Sequence, residues 1–288
     1  MPALPPSEDT PPAPSGLPQP PCTDRSVVLA PGHAVDVRIY GRKKAGQTLP
    51  LVVHFHGGAF VSGDLDNGCT VASLLAAAGS VVVSVAYPLA PQHPFPNAAE
   101  VGYGVLKWVF KQRSKLGGPG AEVYLAGEEA GGNVAAAVSL MARDQSHPPL
   151  AGQILLSPML DPCTGTASLR QATGQATCCK WVDGWLRYLR GPRDAEHPYA
   201  VPASTLRLQG LPPTLVLVGQ SDPMRDEALA YAARLEAAGL EVWREVFDDV
   251  QDWPEALLEA APTECPCAAQ VQARFSAFFE ATRCPVPS

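Results

Sequence analysis

From residue 25 onward the chain predicts an α/β fold, an eight-stranded, mostly parallel sheet with helices on both faces. Three observations point there: short apolar runs recur along the chain, helical patterns alternate with them, and the first two runs follow each other with no helix between. Residues 26–29 and 34–40 form that opening pair. The second, AVDVRIY, alternates apolar and polar side chains as a strand at the sheet edge does. Six further runs lie at 49–56, 80–86, 123–126, 153–156, 214–218 and 242–247. Most are short and β-branched, the composition of strands buried on both faces. Helices are expected at 68–79, 98–115, 131–144, 224–239 and 268–282. The fourth, MRDEALAYAARLEAAG, is amphipathic and closes on Gly239. Between the sixth and seventh strands, residues 163–210 break the rhythm with a polar, aromatic-spotted insert containing KWVDGWLRYL. An insert of this length and place is expected to be a small lid, with a plain surface excursion as the alternative.

Residues 1–24, MPALPPSEDTPPAPSGLPQPPCTD, hold too many prolines for a helix or a central strand. They are expected to form a disordered or extended tail, with residues 25–288 as one domain. Hydrophobic residues make up 46% and charged residues 17%, a globular composition. Twenty-one basic against 28 acidic side chains give a net charge of −7, which argues against nucleic acid or an anionic membrane as partner. No apolar run approaches the ~20 residues that span a bilayer. The first residues also lack the basic and then apolar pattern of a secretory leader, so a cytoplasmic protein with no membrane span is expected. The eight cysteines show no paired metal-ligand spacing: Cys178 and Cys179 are adjacent, and Cys265 and Cys267 are one residue apart. Free thiols, no metal and no cofactor are expected, with a disulfide from the 265/267 pair to Cys284 as the alternative.

Four segments carry candidate chemistry. HFHGGAF (54–60) follows the third strand, where two glycines can free backbone N–H groups to face a developing oxyanion. YPLAPQHPFP (87–96) follows the fourth strand, GEEAGGN (127–133) the fifth and GQSDPMRDE (219–227) the seventh. Between a strand and a small-residue helix, GEEAGGN has the form of a nucleophile elbow with glutamate at its tip.

In this order the four segments resemble the hormone-sensitive-lipase type of carboxylesterase, over about residues 36–282. The resemblance implies an α/β-hydrolase fold, with the N–H groups of Gly57, Gly58 and Ala130 as oxyanion hole, Glu129 on the nucleophile and Asp222 on the triad acid. The family's base comes shortly after the eighth strand. In this chain that segment reads FDDVQDWP (247–254), which puts Gln251 on the histidine. Serine and histidine are thus both replaced. Ala59 stands where a third glycine is expected, Pro88 where an arginine is, and the family's N-terminal cap helices are expected to be missing.

A hydrolase of this type needs a nucleophile and a base that also protonates the leaving group. Gln251 cannot take a proton at neutral pH. His54, His56 and His93 are not expected to rescue it, because the family uses the last two for loop structure; Ser221 is discounted as too far from the elbow. A carboxylate at the elbow lies at a helix N-terminus beside aimed N–H donors. It can fold into the oxyanion hole, act as acid or base with Asp222, or attack carbon itself, a route that stalls without a base. The main expectation is therefore non-hydrolytic acid/base chemistry (dehydration, cyclisation or isomerisation) on a small apolar carbonyl compound. Two alternatives stand beside it: an inactive pseudoenzyme that binds a small ligand or a partner, such as a second copy or a paralogue, and a carboxylesterase-like hydrolase with an unforeseen nucleophile.

Overall fold

The computed structural model describes residues 20–162, 165–172, 175–248, 253, 257 and 267–283, with the backbone alone for 172 and 175–179. Eight strands form one sheet: β1 (Cys22–Ala30), β2 (His33–Tyr40), β3 (Leu51–Phe55), β4 (Val81–Val85), β5 (Val123–Glu128), β6 (Gly152–Leu156), β7 (Thr214–Gly219) and β8 (Val242–Phe247). Their order is β1-β2-β4-β3-β5-β6-β7-β8. β1 and β2 pair antiparallel, as do β2 and β4, and every later pair is parallel. This is the sheet the sequence predicts.

The runs LVVHF, VVVSV and TLVLVG are buried at every position, because helices cover both faces and leave no side of these strands to water. On one face lie α2 (Asn97–Lys111), α4 (Ala130–Asp144) and α8 (Arg225–Ala237), whose apolar side chains merge with Val53, Phe55 and Leu125. On the other, α1 (Cys69–Ala77) and α9 (Ala268–Thr282) pack on Val52, Tyr124 and Ile154. The short α3 (Arg113–Leu116) follows α2 after an interruption at Gln112, so the helix expected over 98–115 is two pieces.

One further expectation shifts. The tail drawn to residue 24 ends earlier, because β1 begins at Cys22, paired with Tyr40, and Gly41 N–H donates to Pro21 O. Pairing on a sheet edge orders these residues despite their neighbouring prolines; residues 1–19 lie outside the described part. The insert is helical: α5 (Ala167–Ala172), α6 (Gln175–Tyr188) and α7 (Pro192–Ala195).

Strand register fixes what meets at the carboxyl edge. Phe55 lies opposite Gly127, Glu128 opposite Leu156, Leu156 opposite Leu217, and Gly219 opposite Phe247. The four loops that follow β3, β5, β6 and β7 therefore converge at one end of the sheet, where ligands of open parallel sheets bind.

Candidate active site

The chain passes from β5 to α4 through a single residue, Glu129, held at φ 48° and ψ −116°. Glycine favours this left-handed region, and a side chain held there is strained. The turn closes only because its neighbours are small. A Cβ on Gly127 would stand 2.2 Å from Gly131 O, and one on Gly131 would stand 2.0 Å from Phe55 O. Glu129 N–H donates to Leu156 O, and Glu129 O accepts from Met159 N–H, so the tip is pinned to β6 and the loop beyond it.

Both elbow glutamates are buried, at 1% exposure each. Carboxylates so placed need hydrogen-bonding partners. Glu129 Oε2 accepts from Gly58 N–H at 2.9 Å, so its side chain folds back onto one of the three amides expected to form the oxyanion hole. Glu128 takes a second of them: its Oε1 accepts from Gly57 N–H at 3.2 Å, and its Oε2 lies 2.7 Å from His54 Nε2. Ala130, source of the third amide, is the buried first residue of α4. The loop carrying Gly58 is itself strained. Gly58 has φ 112°, and the two residues after it also have positive φ, Ala59 at 50° and Phe60 at 68°.

From above, α6 covers the elbow. Its Trp181 Nε1–H donates to Glu129 Oε1 at 3.3 Å, and Lys180 Nζ stands 3.4 Å from the same oxygen. Trp181, Gly184, Trp185 and Tyr188 share one buried helix face. Tyr188 stacks on Phe60 with ring centroids 4.0 Å apart, and Trp185 lies 4.9 Å from the same ring. With Met159, Ala59 and Ala130 these aromatics make a third apolar cluster directly over Glu129.

Asp222, beyond the end of β7, is fully buried. Its Oδ2 accepts from Ser157 Oγ–H at 2.5 Å and from Trp253 Nε1–H at 3.0 Å, and its Oδ1 from Met224 N–H at 2.8 Å. Burial pushes its pKa up to about 6 against the pull of these donors, Ser157 foremost. Of the residues singled out in the sequence, Gly57, Gly58, Glu129 and Ala130 come together. Asp222 is engaged with Ser157 and Trp253, and Gln251 lies outside the described residues.

The histidines near the elbow are committed elsewhere. His54 Nδ1 lies 3.0 Å from Ser84 Oγ and its Nε2 faces Glu128. His56 Nδ1 lies 2.7 Å from Gly57 O, and burial pushes its pKa below the usual value. His93 and Ser221 are exposed. Sequence reasoning missed Lys180, Trp181, Ser157 and Trp253. The first two open the insert stretch KWVDGWLRYL and were within reach of inspection. Ser157 carries no signal beyond its place after a strand.

With this geometry in place, comparison with known proteins gives the class. A family model described as the alpha/beta hydrolase fold matches residues 52–251, and the chain belongs to that family. Within it, similar proteins include carboxylesterase NlhH of Mycobacterium tuberculosis, 35% identical over 72% of this chain and 67% of that protein. An ethyl acetate hydrolase of Pseudomonas putida is 30% identical over 81% of this chain and 75% of its own length. The gibberellin receptor GID1C of Arabidopsis thaliana is 35% identical over 68% of this chain and 60% of the receptor. Among solved structures, the esterase of Pyrobaculum calidifontis superposes with a TM-score of 0.79 at 32% identity, covering 92% of this chain and 88% of that one.

These relatives correct the main functional expectation. Several proteins 30–36% identical to the chain are named as a carboxylesterase, an esterase or an ethyl acetate hydrolase, which supports a carboxylesterase-like hydrolase and gives no support to a dehydratase, cyclase or isomerase. The physical reason is that one side chain at the elbow does not alter the fold, which the chain shares with solved esterases. Among the described residues, no helix is long and apolar enough to cross a membrane.

Proposed function

We propose that the chain is a carboxylesterase-like hydrolase of small apolar esters in which Glu129 stands in the place of the nucleophilic serine and Gln251 in that of the base. The nucleophile of this route is water. The observation that carries the reading is the Glu129 carboxylate itself, placed on the elbow and 2.9 Å from Gly58 N–H, the position an ester carbonyl oxygen takes in such a frame. When an ester enters, its carbonyl oxygen replaces Glu129 Oε2 on that amide. The freed carboxylate then accepts a proton from a water that attacks the carbonyl carbon. Collapse of the tetrahedral adduct breaks the acyl C–O bond, and Glu129 returns the proton to the departing alkoxide. No acyl-enzyme forms, so no histidine is needed to release one.

Support comes from the esterase relatives, the elbow geometry and the apolar cluster of Phe60, Met159 and Trp185 that would receive the acyl or alcohol group. The insert helices serve as the lid in this reading, and the cytoplasm as the compartment. The test is turnover of p-nitrophenyl acetate and butyrate by the wild type, Glu129→Gln and Glu129→Ala. Loss of the base is expected to lower the rate about a hundredfold; equal rates in all three would remove Glu129 from the chemistry.

The same contact favours a second reading. With Gly58 N–H held by the chain's own carboxylate, the resting pocket is closed to an ester oxygen, as in a pseudoenzyme that binds a ligand or partner without turning it over. A wild type silent toward both esters selects this reading over hydrolysis.

A further inference from the structure

Helix α6 touches both ends of the Gly58–Glu129 hydrogen bond. On the acceptor side, Lys180 and Trp181 hold Glu129 Oε1. On the donor side, the loop that carries Gly58 is clamped by the same helix. A Cβ on Gly184 would stand 2.2 Å from Ala59 O, so helix backbone and loop backbone are in direct contact, and Phe60 is stacked by Tyr188 with Trp185 tilted against the same ring. Residues 181, 184, 185 and 188 recur at helical spacing, so one rigid face makes all of these contacts. The outer face, with Asp183, Leu186 and Arg187, is exposed.

We propose that α6 is a latch: Lys180 and Trp181 hold the Glu129 carboxylate across the Gly58 amide, and the helix must release that carboxylate before an ester oxygen can reach the amide. The inference rests on the reading that Glu129 is the group at the reaction centre, and it concerns regulation of that same site. Glu129 is held through one oxygen by Gly58 and through the other by α6, so motion of the helix away from the sheet weakens both contacts together. Lys180 is 41% exposed and Glu129 1%, so the cation is the solvent-facing member of the pair. Its contribution is therefore modest, about two- to fivefold in the latch equilibrium. The indole N–H lies inside the cluster on a charged acceptor and contributes about tenfold.

The test is amide hydrogen exchange along residues 180–188 in the full chain, with the core strands β3 and β5 as internal reference. Lys180→Met is expected to speed exchange there about two- to fivefold and Trp181→Phe about tenfold, with the reference strands unchanged. In a Glu129→Ala background, which has no carboxylate to hold, Lys180→Met is expected to add nothing further. Unchanged exchange in Lys180→Met, or an equal increase with and without Glu129, would overturn the latch. The lysine change sits on a half-exposed side chain and leaves the core intact. Exchange is read without substrate, so a chain silent toward esters still decides the latch separately from the hydrolysis reading. If hydrolysis holds, the latch also requires Lys180→Met to raise turnover of p-nitrophenyl acetate.

Discussion

Glu129 and Asp222 are both buried carboxylates at the carboxyl edge of the sheet, yet their surroundings differ in kind. Glu129 is held by a loop amide and by two side chains of a helix lying over it, one of them a half-exposed lysine. Asp222 is held by Ser157 and Trp253, both buried in the body of the fold, and by the amide of Met224. The first environment can exchange its partners when the covering helix moves. The second is a plug: Trp253 also lies 2.6–2.8 Å from where a Cβ on Gly219 would stand, so indole and strand are interlocked. The Glu129 carboxylate is therefore held partly by a helix that covers it, whereas Asp222 is held wholly within the body of the fold.

The sharpest break of this contrast is at the elbow frame. Gly131→Ala drives a methyl to 2.0 Å from Phe55 O, backbone that cannot yield. A loss of about 4 kcal/mol or more is expected in denaturant unfolding. On the Asp222 side, Trp253→Ala removes a large buried side chain and leaves Asp222 and Ser157 short of a donor, at about 3–5 kcal/mol by the same measurement.

The plug also has a pH signature. A carboxyl raised from 3.8 to about 6 binds its proton more tightly folded than unfolded. Its contribution to stability is whole below about pH 4 and is lost as pH rises through 6. Unfolding from pH 4 to pH 8 should therefore find the wild type losing up to about 3 kcal/mol relative to Asp222→Asn, which carries no titrating group. Identical pH profiles would mean that Asp222 is solvated. The smallest effect belongs to the loop at the centre's edge. Ala59 at φ 50° gains by becoming glycine, so Ala59→Gly is expected to stabilise by about 1 kcal/mol, seen as a raised unfolding midpoint.

Much of this was legible in the chain itself. The β-branched runs gave the strands, and the four loop segments located the carboxyl edge, because glycine spacing in GEEAGGN and HFHGGAF encodes close backbone approach. What could not be read was how the two buried carboxylates are satisfied. The direction of the Glu129 side chain depends on a helix some fifty residues later in the chain, and the partners of Asp222 come from two separate loops. Such long-range pairings leave no periodic trace. Nor does the elbow residue alone give function: a carboxylate there suggests new chemistry, whereas several relatives over most of the chain are named hydrolases of esters.

The carboxylate–amide contact at the elbow is the point on which the account turns, and the amide proton of Gly58 reports it directly. In the wild type its NMR resonance should lie downfield, as a hydrogen bond to a carboxylate requires, and Glu129→Ala should move it upfield while leaving the amide of Gly57, held by Glu128, near its place. A Gly58 resonance that does not respond to loss of the Glu129 carboxylate would contradict the account.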